Sequence, residues 1–89
     1  MIEGPLAAHG TFCSDFRQES PGEAYANAGV ALPIEIGVGR CAGTRTVSAR
    51  GDRGEVTATL PEADSFVRIE NTSDSSTRFR LTLRHPVLR

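Results

Sequence analysis

Two cysteines and two histidines are the residues of this sequence best suited to chemistry, and their placement limits what that chemistry can be. Cys13 and Cys41 stand far apart in the chain. In an oxidising compartment they can close one disulfide, worth roughly 3–4 kcal/mol when loop-closure entropy is removed from the unfolded chain. In a reducing cytosol they are two small buried hydrophobes. Both states are open at the level of sequence. A catalytic thiol or hydroxyl needs a base held beside it by a third group. His9 lies in a stretch rich in Gly, Ala and Pro, and His85 precedes Pro86, so neither imidazole sits in a nucleophile turn. A zinc set of His9, Cys13, Cys41 and His85 lacks the closely spaced ligand pairs of structural zinc sites. Asp52 and Glu55 do not have the spacing of a calcium loop. Gly37-Val38-Gly39-Arg40 lacks the Lys and the length of a phosphate cradle. Paired carboxylates for glycoside hydrolysis cannot be placed either. The expectation is a non-enzyme, with no metal and no cofactor.

Two short motifs have ordinary structural readings. Arg50-Gly51-Asp52 is the integrin-recognition tripeptide, yet Gly-Asp is also common turn chemistry. Asn71-Thr72-Ser73 fits the glycosylation sequon, which matters only for a chain passing through a eukaryotic secretory route.

The elements that would position these residues are strands. The 89 residues carry 38% hydrophobic and 24% charged side chains, the balance of one small soluble domain rather than a disordered chain. No apolar run reaches the roughly 20 residues of a membrane helix, so no membrane insertion is expected. No signal peptide is visible, which leaves a cytoplasmic chain, another export route or a leader outside this sequence. A virion or extracellular location follows if the disulfide forms. The net charge of −1 argues against a nucleic-acid partner. All ten cations are Arg, which with the abundant Ala and Gly matches a high-GC bacterial or phage source.

Residues 1–11 have no sustained period and read as an extended arm, and residues 12–89 as a single domain. Residues 11–17 place Phe12 and Phe16 on one face. Residues 23–31 (EAYANAGVA) are ambiguous between a helical turn and a strand. Leu32, Ile34, Ile36 and Val38 then alternate, followed by residues 44–50, 55–60, 65–72 and 78–85, with turn chemistry about every ten residues. The expected core is Ile34, Ile36, Val38, Val47, Val56, Leu60, Val67, Ile69, Phe79, Leu81 and Leu83. Closing the last two strands as a hairpin sets Ile69 opposite Leu81, Val67 opposite Leu83 and Glu70 opposite Arg80, which keeps Arg68 away from Arg80. Its outer face then carries Phe66, Arg68, Arg80 and Arg84, the candidate interaction face. Cys13 and Cys41 are expected across neighbouring strands.

Residues 56–83 (VTATLPEADSFVRIENTSDSSTRFRLTL) run from a Leu-Pro entry through a strand and a small polar turn to an aromatic-led final strand. This resembles the closing strands of bacterial pre-peptidase C-terminal domains, and the resemblance implies a β-sandwich with a recognition role. The combined expectation is all-β: a small antiparallel β-sandwich or jelly-roll-like domain of six or seven strands with an N-terminal arm. The leading functional reading is a non-catalytic structural or interaction protein, a subunit of a larger assembly such as a phage or secreted particle surface, with a protein partner or further copies of itself. The alternative is a secreted or surface-attached module recognising glycan or protein. The third is a small proteinase inhibitor presenting residues 39–44.

Overall fold

The structure is a computed structural model that describes residues 2–84 and 86–88, with side chains placed for residues 2–84. Nine strands follow one another: β1 Ile2–Leu6, β2 Thr11–Gln18, β3 Gly22–Asn27, β4 Ile34–Gly39, β5 Arg45–Gly51, β6 Glu55–Leu60, β7 Ala63–Glu70, β8 Thr77–Leu83 and β9 Pro86–Leu88. They form two antiparallel sheets, β1-β8-β3-β6 and β5-β4-β7-β2-β9. Setting β9 aside, β1 pairs with β8, β2 with β7, β3 with β6 and β4 with β5. A chain folded into such a nested ribbon and rolled into two facing sheets is a jelly roll.

The strands beyond the six clear in the sequence are β1, β3 and β9, and the first two hide their alternation. Residues 2–6, read as an arm, form edge strand β1. Leu6 is buried, Ile2 packs against the core, and Glu3 lies opposite Arg80. Its alternation is masked by Gly4, which lies so close to Phe79 that a Cβ there would come within 3.1 Å of the ring. In β3 the inward positions are Ala24 and Ala26, and Ala28 follows just beyond the strand, all fully buried. Alanine is weakly hydrophobic and favours helices, so the period of two is present but faint. The small side chains suit their neighbours, since Ala26 lies between Val56 and Leu81 on the flanking strands.

The core contains Ile34, Ile36, Val56, Leu60, Val67, Ile69, Phe79 and Leu81, joined by Leu6, Phe16 and Leu32, with Leu83 partly buried against it. Phe12 from the five-stranded sheet stacks on Phe79 from the four-stranded sheet at a centroid distance of 4.1 Å. Val47 corrects the expectation. The β4–β5 register shifts between Ile36 and Gly37, so Ala49 opposes Ile36 while Val47 opposes Gly37. The bulge leaves Ser48 unpaired, which reverses the alternation, and Val47 joins Gly37 on the outer face. Val38 is only half-buried.

The expected terminal hairpin does not form. Ile69 pairs with Phe12 and Ile34, whereas Leu81 pairs with Ile2 and Ala26. Thus β7 and β8 belong to different sheets instead of lying side by side. Alternation states only which side chains are apolar, and Val67, Ile69, Phe79 and Leu81 are buried equally well either way. The loop between the strands decides. Asn71, fully buried, donates from Nδ2 to the carbonyls of Leu6, Ala7 and Ser75 at 3.2, 3.1 and 2.9 Å. Its Oδ1 accepts from the Ser73 amide at 3.0 Å, and this web carries the chain across the core.

Leu81→Ala is expected to cost about 2–5 kcal/mol, read as a lowered midpoint in chemical denaturation. Asn71→Ala is expected to cost about 1–3 kcal/mol by stranding those carbonyls. Because Asn71 is enclosed, the wild-type chain passed through a glycosylating secretory route should gain no glycan mass.

Candidate functional site

The tip of the β4–β5 hairpin folds down onto the outer face of the five-stranded sheet. Gly37 and Gly39 allow this. A Cβ at Gly37 would lie 2.1 Å from the Thr46 carbonyl oxygen, and one at Gly39 would lie 2.1 Å from that of Thr44. The β5 backbone therefore occupies space that side chains would fill at any other residue type. The tip closes as a turn, with the Gly43 amide donating to the Arg40 carbonyl at 3.1 Å. The Cys41 amide then donates to Asp15 Oδ1 on β2 at 2.7 Å. Cys13 and Cys41 are bonded, with their Cα atoms 6.1 Å apart. The cysteines are not on neighbouring strands as expected. The bond passes over β7 and ties β2 to the β4–β5 loop.

Phe66 lies beneath this tie, between Asp15 and Gly37 on the flanking strands. Its exposure is 0%, and the Arg45 guanidinium stands 5.7 Å from its ring centroid. Phe66 is therefore a covered residue on the outer face and offers no contact to a partner. Residues 39–44, named for the inhibitor reading, form this disulfide-tethered tip, with Arg40, Ala42, Gly43 and Thr44 exposed.

The remaining residues of the proposed face separate. Arg68 stays on the five-stranded sheet, 3.8 Å from Glu35 and 3.4 Å from Glu70. Together with Pro33, Arg50 and Asp52 these residues line a groove of about 450 Å³, so the Arg-Gly-Asp tripeptide runs along its rim. Arg80 lies on the opposite side of the molecule, with its Nε 3.2 Å from Glu3. Because β7 and β8 belong to different sheets, Phe66 and Arg68 cannot share a surface with Arg80.

The outer face of the four-stranded sheet is open. Ladder pairing sets Glu3, Arg80, Asn27 and Glu55 in one row, and Thr82, Tyr25 and Thr57 in the next. The Tyr25 hydroxyl donates to Glu55 at 2.8 Å and accepts from Asn27 Nδ2 at 2.9 Å. Asn27 Oδ1 in turn accepts from the Gly29 amide at 2.7 Å. The ring is thus held from both sides of its hydroxyl, at the edge of a shallow depression of about 330 Å³ also lined by Glu3, Asn27, Arg78 and Arg80. Arg78, like Arg80 two residues on, is exposed, and so is Arg84 after the strand. Among the described residues neither Arg78 nor Arg84 has a carboxylate partner. Tyr25, Asn27 and Arg78 escaped the sequence reading, although Tyr25 and Asn27 are the outward half of the period-two pattern in β3.

Residues considered for catalysis are otherwise engaged. The cysteines are bonded to each other, and His9 lies 2.7 Å from Asp74. His85 is outside the described residues. Among the described residues no group of three His, Cys, Asp or Glu side chains is placed to hold a metal ion, and no helix is long and apolar enough to cross a membrane.

The sequence matches no protein-family profile and no curated protein. Solved structures do share its fold. The mitogen from Yersinia pseudotuberculosis matches 99% of this chain and 92% of its own, at 13% identity and a TM-score of 0.62. The pre-peptidase C-terminal domain of Bacillus anthracis collagenase matches 93% and 86%, at 12% identity and a TM-score of 0.65. PliG from Aeromonas hydrophila, a periplasmic inhibitor of g-type lysozyme, matches 93% and 83%, at 10% identity and a TM-score of 0.63. The resemblance of residues 56–83 to pre-peptidase C-terminal domains thus extends to the fold of nearly the whole chain, and at these identities the likeness is one of fold alone.

Replacing both cysteines by Ser is expected to lower stability by about 3–4 kcal/mol by freeing the unfolded chain from loop closure. It should also expose Phe66, read as increased amide exchange at residues 40–46 and at Phe66 itself.

Proposed function

We propose that this chain is a non-catalytic recognition module of an oxidising compartment, extracellular or periplasmic, that binds a protein partner through the outer face of its four-stranded sheet. The observation that carries the reading is the pairing of an immobilised Tyr25 with two exposed arginines, Arg78 and Arg84, that lack a carboxylate partner among the described residues. Tyr and Arg are the residue types that most often anchor protein interfaces, because each brings a large, stiff contact surface with a polar end. Fixing the ring in advance lowers the ordering cost of binding. Arg78, Arg80 and Arg84 line one strand and its continuation, with alternate positions spaced about 7 Å apart. A partner surface bearing carboxylates at comparable spacing suits them, each guanidinium donating a bidentate pair of hydrogen bonds. The disulfide supports an oxidising compartment. Three proteins that share the fold, a mitogen, a pre-peptidase C-terminal domain of a collagenase and a lysozyme inhibitor, are compatible with a non-catalytic role.

Residues 2–6, expected as an arm, are occupied within the four-stranded sheet. A glycan-binding reading would need a cleft lined by several aromatic rings, whereas Tyr25 is the one aromatic side chain on this face among the described residues.

The test is capture of partner proteins from the surrounding medium by immobilised wild-type chain and by variants of equal stability. Arg78→Glu combined with Arg84→Glu should abolish capture, and Tyr25→Ala should weaken it at least tenfold. Arg68→Ala, on the opposite side, should capture as the wild type does. Capture that survives the double charge reversal, or selective binding to an immobilised glycan panel instead, would overturn the proposal.

A further inference from the structure

We infer that Arg50-Gly51-Asp52 is a second protein-binding site, suited to an integrin-type receptor that holds a divalent cation with an open coordination position beside a carboxylate-lined pocket. Five charged side chains line the groove along which the tripeptide runs, and three of them engage one another. Arg68 stands 3.8 Å from Glu35 and 3.4 Å from Glu70. Arg50 lies directly opposite Glu35 in the β4–β5 ladder, yet Glu35 turns to Arg68 on its other side. That leaves Arg50 and Asp52 exposed, and among the described residues neither has an ion pair or a side-chain hydrogen bond, with each other or with any other group.

The fold gives the three residues separate roles. Gly51 opposes buried Ile34 in the ladder and so faces the core, where a Cβ would approach Val56 Cγ2 to 3.2 Å. Alternation turns the residues on either side of it outward, which sets the Cα atoms of Arg50 and Asp52 about 7 Å apart. Among the described residues β5 pairs with β4 alone, so the tripeptide lies at a sheet edge and is approached from above and from the side. Its backbone is anchored at both ends, by the Gly51 ladder position and by Gly54, which bonds to Leu32 and Ala28. Asp52 accepts no backbone amide among the described residues, so capping the turn is not its use.

The chemistry of the two free charges defines the partner. An exposed carboxylate is a hard oxygen ligand, suited to complete the shell of a Mg²⁺ ion whose own protein leaves a position to water. A guanidinium at a fixed distance from it donates a bidentate pair of hydrogen bonds to a receptor carboxylate. A receptor reading both ends requires the metal and the acidic pocket at matching separation, and an added methylene at position 52 would carry the carboxylate past the metal. Because the backbone between the two side chains is already held, less ordering accompanies binding. The contact needs the extracellular of the two compartments proposed above. It lies on the side of the molecule opposite Tyr25, so it stands independently of the partner proposed for that face.

Surface plasmon resonance of the disulfide-bonded chain over a panel of immobilised integrin heads that bind Arg-Gly-Asp peptides, in Mg²⁺ and in Mn²⁺, tests the inference. Saturable binding to at least one member is expected, lost in EDTA and displaced by a free Arg-Gly-Asp peptide but not by an Arg-Gly-Glu peptide. Asp52→Glu and Arg50→Ala should each raise the dissociation constant roughly tenfold or more, with amide exchange across the rest of the chain unchanged. Asp52→Glu keeps the charge, so its effect reports the metal geometry. Arg78→Glu combined with Arg84→Glu should leave the dissociation constant as it is. Binding to no member of the panel overturns the inference, as does binding that persists in EDTA or survives Asp52→Glu. Loss of binding in the Arg78 and Arg84 variant would place the contact on the Tyr25 face and overturn it too.

Discussion

Each strand from β1 to β8 lies beside the strand equally far from the opposite end of the roll, and this nesting places almost every other feature of the molecule. It makes β4 and β5 the innermost pair and puts their connecting tip at the far end of the ribbon. It also sends successive strands into opposite sheets, so the links at one end must cross the sandwich. Those crossings hold the buried polar groups. The Gly54 amide donates to Leu32 at 3.2 Å while its carbonyl accepts from Ala28 at 2.8 Å, with a positive φ of 81°. A Cβ there would meet the Val30 carbonyl oxygen at 1.8 Å, so only glycine lets the β5–β6 crossing dock against the β3–β4 crossing. Asn71 does for the β1–β2 and β7–β8 crossings what Gly54 does for the other two, using side-chain amide bonds in place of close backbone approach. Buried backbone groups at a crossing need such partners, because no ladder neighbour remains to satisfy them.

The two outer faces differ because of one local feature of the β4–β5 pair. With Gly37 and Gly39 in β4, the bulged β5 backbone can lie over its own sheet, and the tip continues across β7 until Cys41 reaches Cys13. That closes one face: Phe66 is enclosed, and Arg68 is balanced between Glu35 and Glu70. Among the described residues nothing comparable folds over the four-stranded sheet, whose strands are joined to one another through crossings at the ends. Its outward side chains interact within the plane, through Glu3 with Arg80 and Tyr25 with Glu55 and Asn27, and stay accessible from above. The surface available for recognition is thus set by where the chain spends its one long hairpin.

Strands whose inward positions are branched or aromatic were legible in the sequence: Ile34 and Ile36, Val56 and Leu60, Val67 and Ile69, Phe79 and Leu81 all face the core as the alternation requires. The failures have separate physical causes. In β3 the period is written in alanine, whose burial contributes too little to stand out from helix propensity. In β5 a bulge inserts a residue and turns Val47 outward, and no single residue type announces it. The largest error, the hairpin of β7 with β8, arose because apolar patterning is identical for strands side by side and strands face to face. The repulsion of Arg68 and Arg80 was read correctly as something to avoid, but the fold avoids it by moving Arg80 to the other sheet, where Glu3 meets it. The cysteine pair was legible as a possible bond. Gly37 and Gly39 bring it together by permitting close backbone approach.

What the interior is made of also limits where function can reside. Ala24, Ala26 and Ala58 line the inner side of the four-stranded sheet, with Ala28 just beyond β3, and Phe16, Ile34, Ile36, Val67 and Ile69 of the five-stranded sheet belong to the same buried cluster. Small side chains on one layer let the other layer's large ones interdigitate closely, so the volume between the sheets is consumed by packing. A roll with longer strands or a wider girth can hold a ligand between its layers, but here such a ligand would have to displace core side chains at several kcal/mol each. Contacts with other molecules are therefore left to the outside of the roll. There the face proposed for recognition, with Tyr25 held between Glu55 and Asn27, would select by charge and shape.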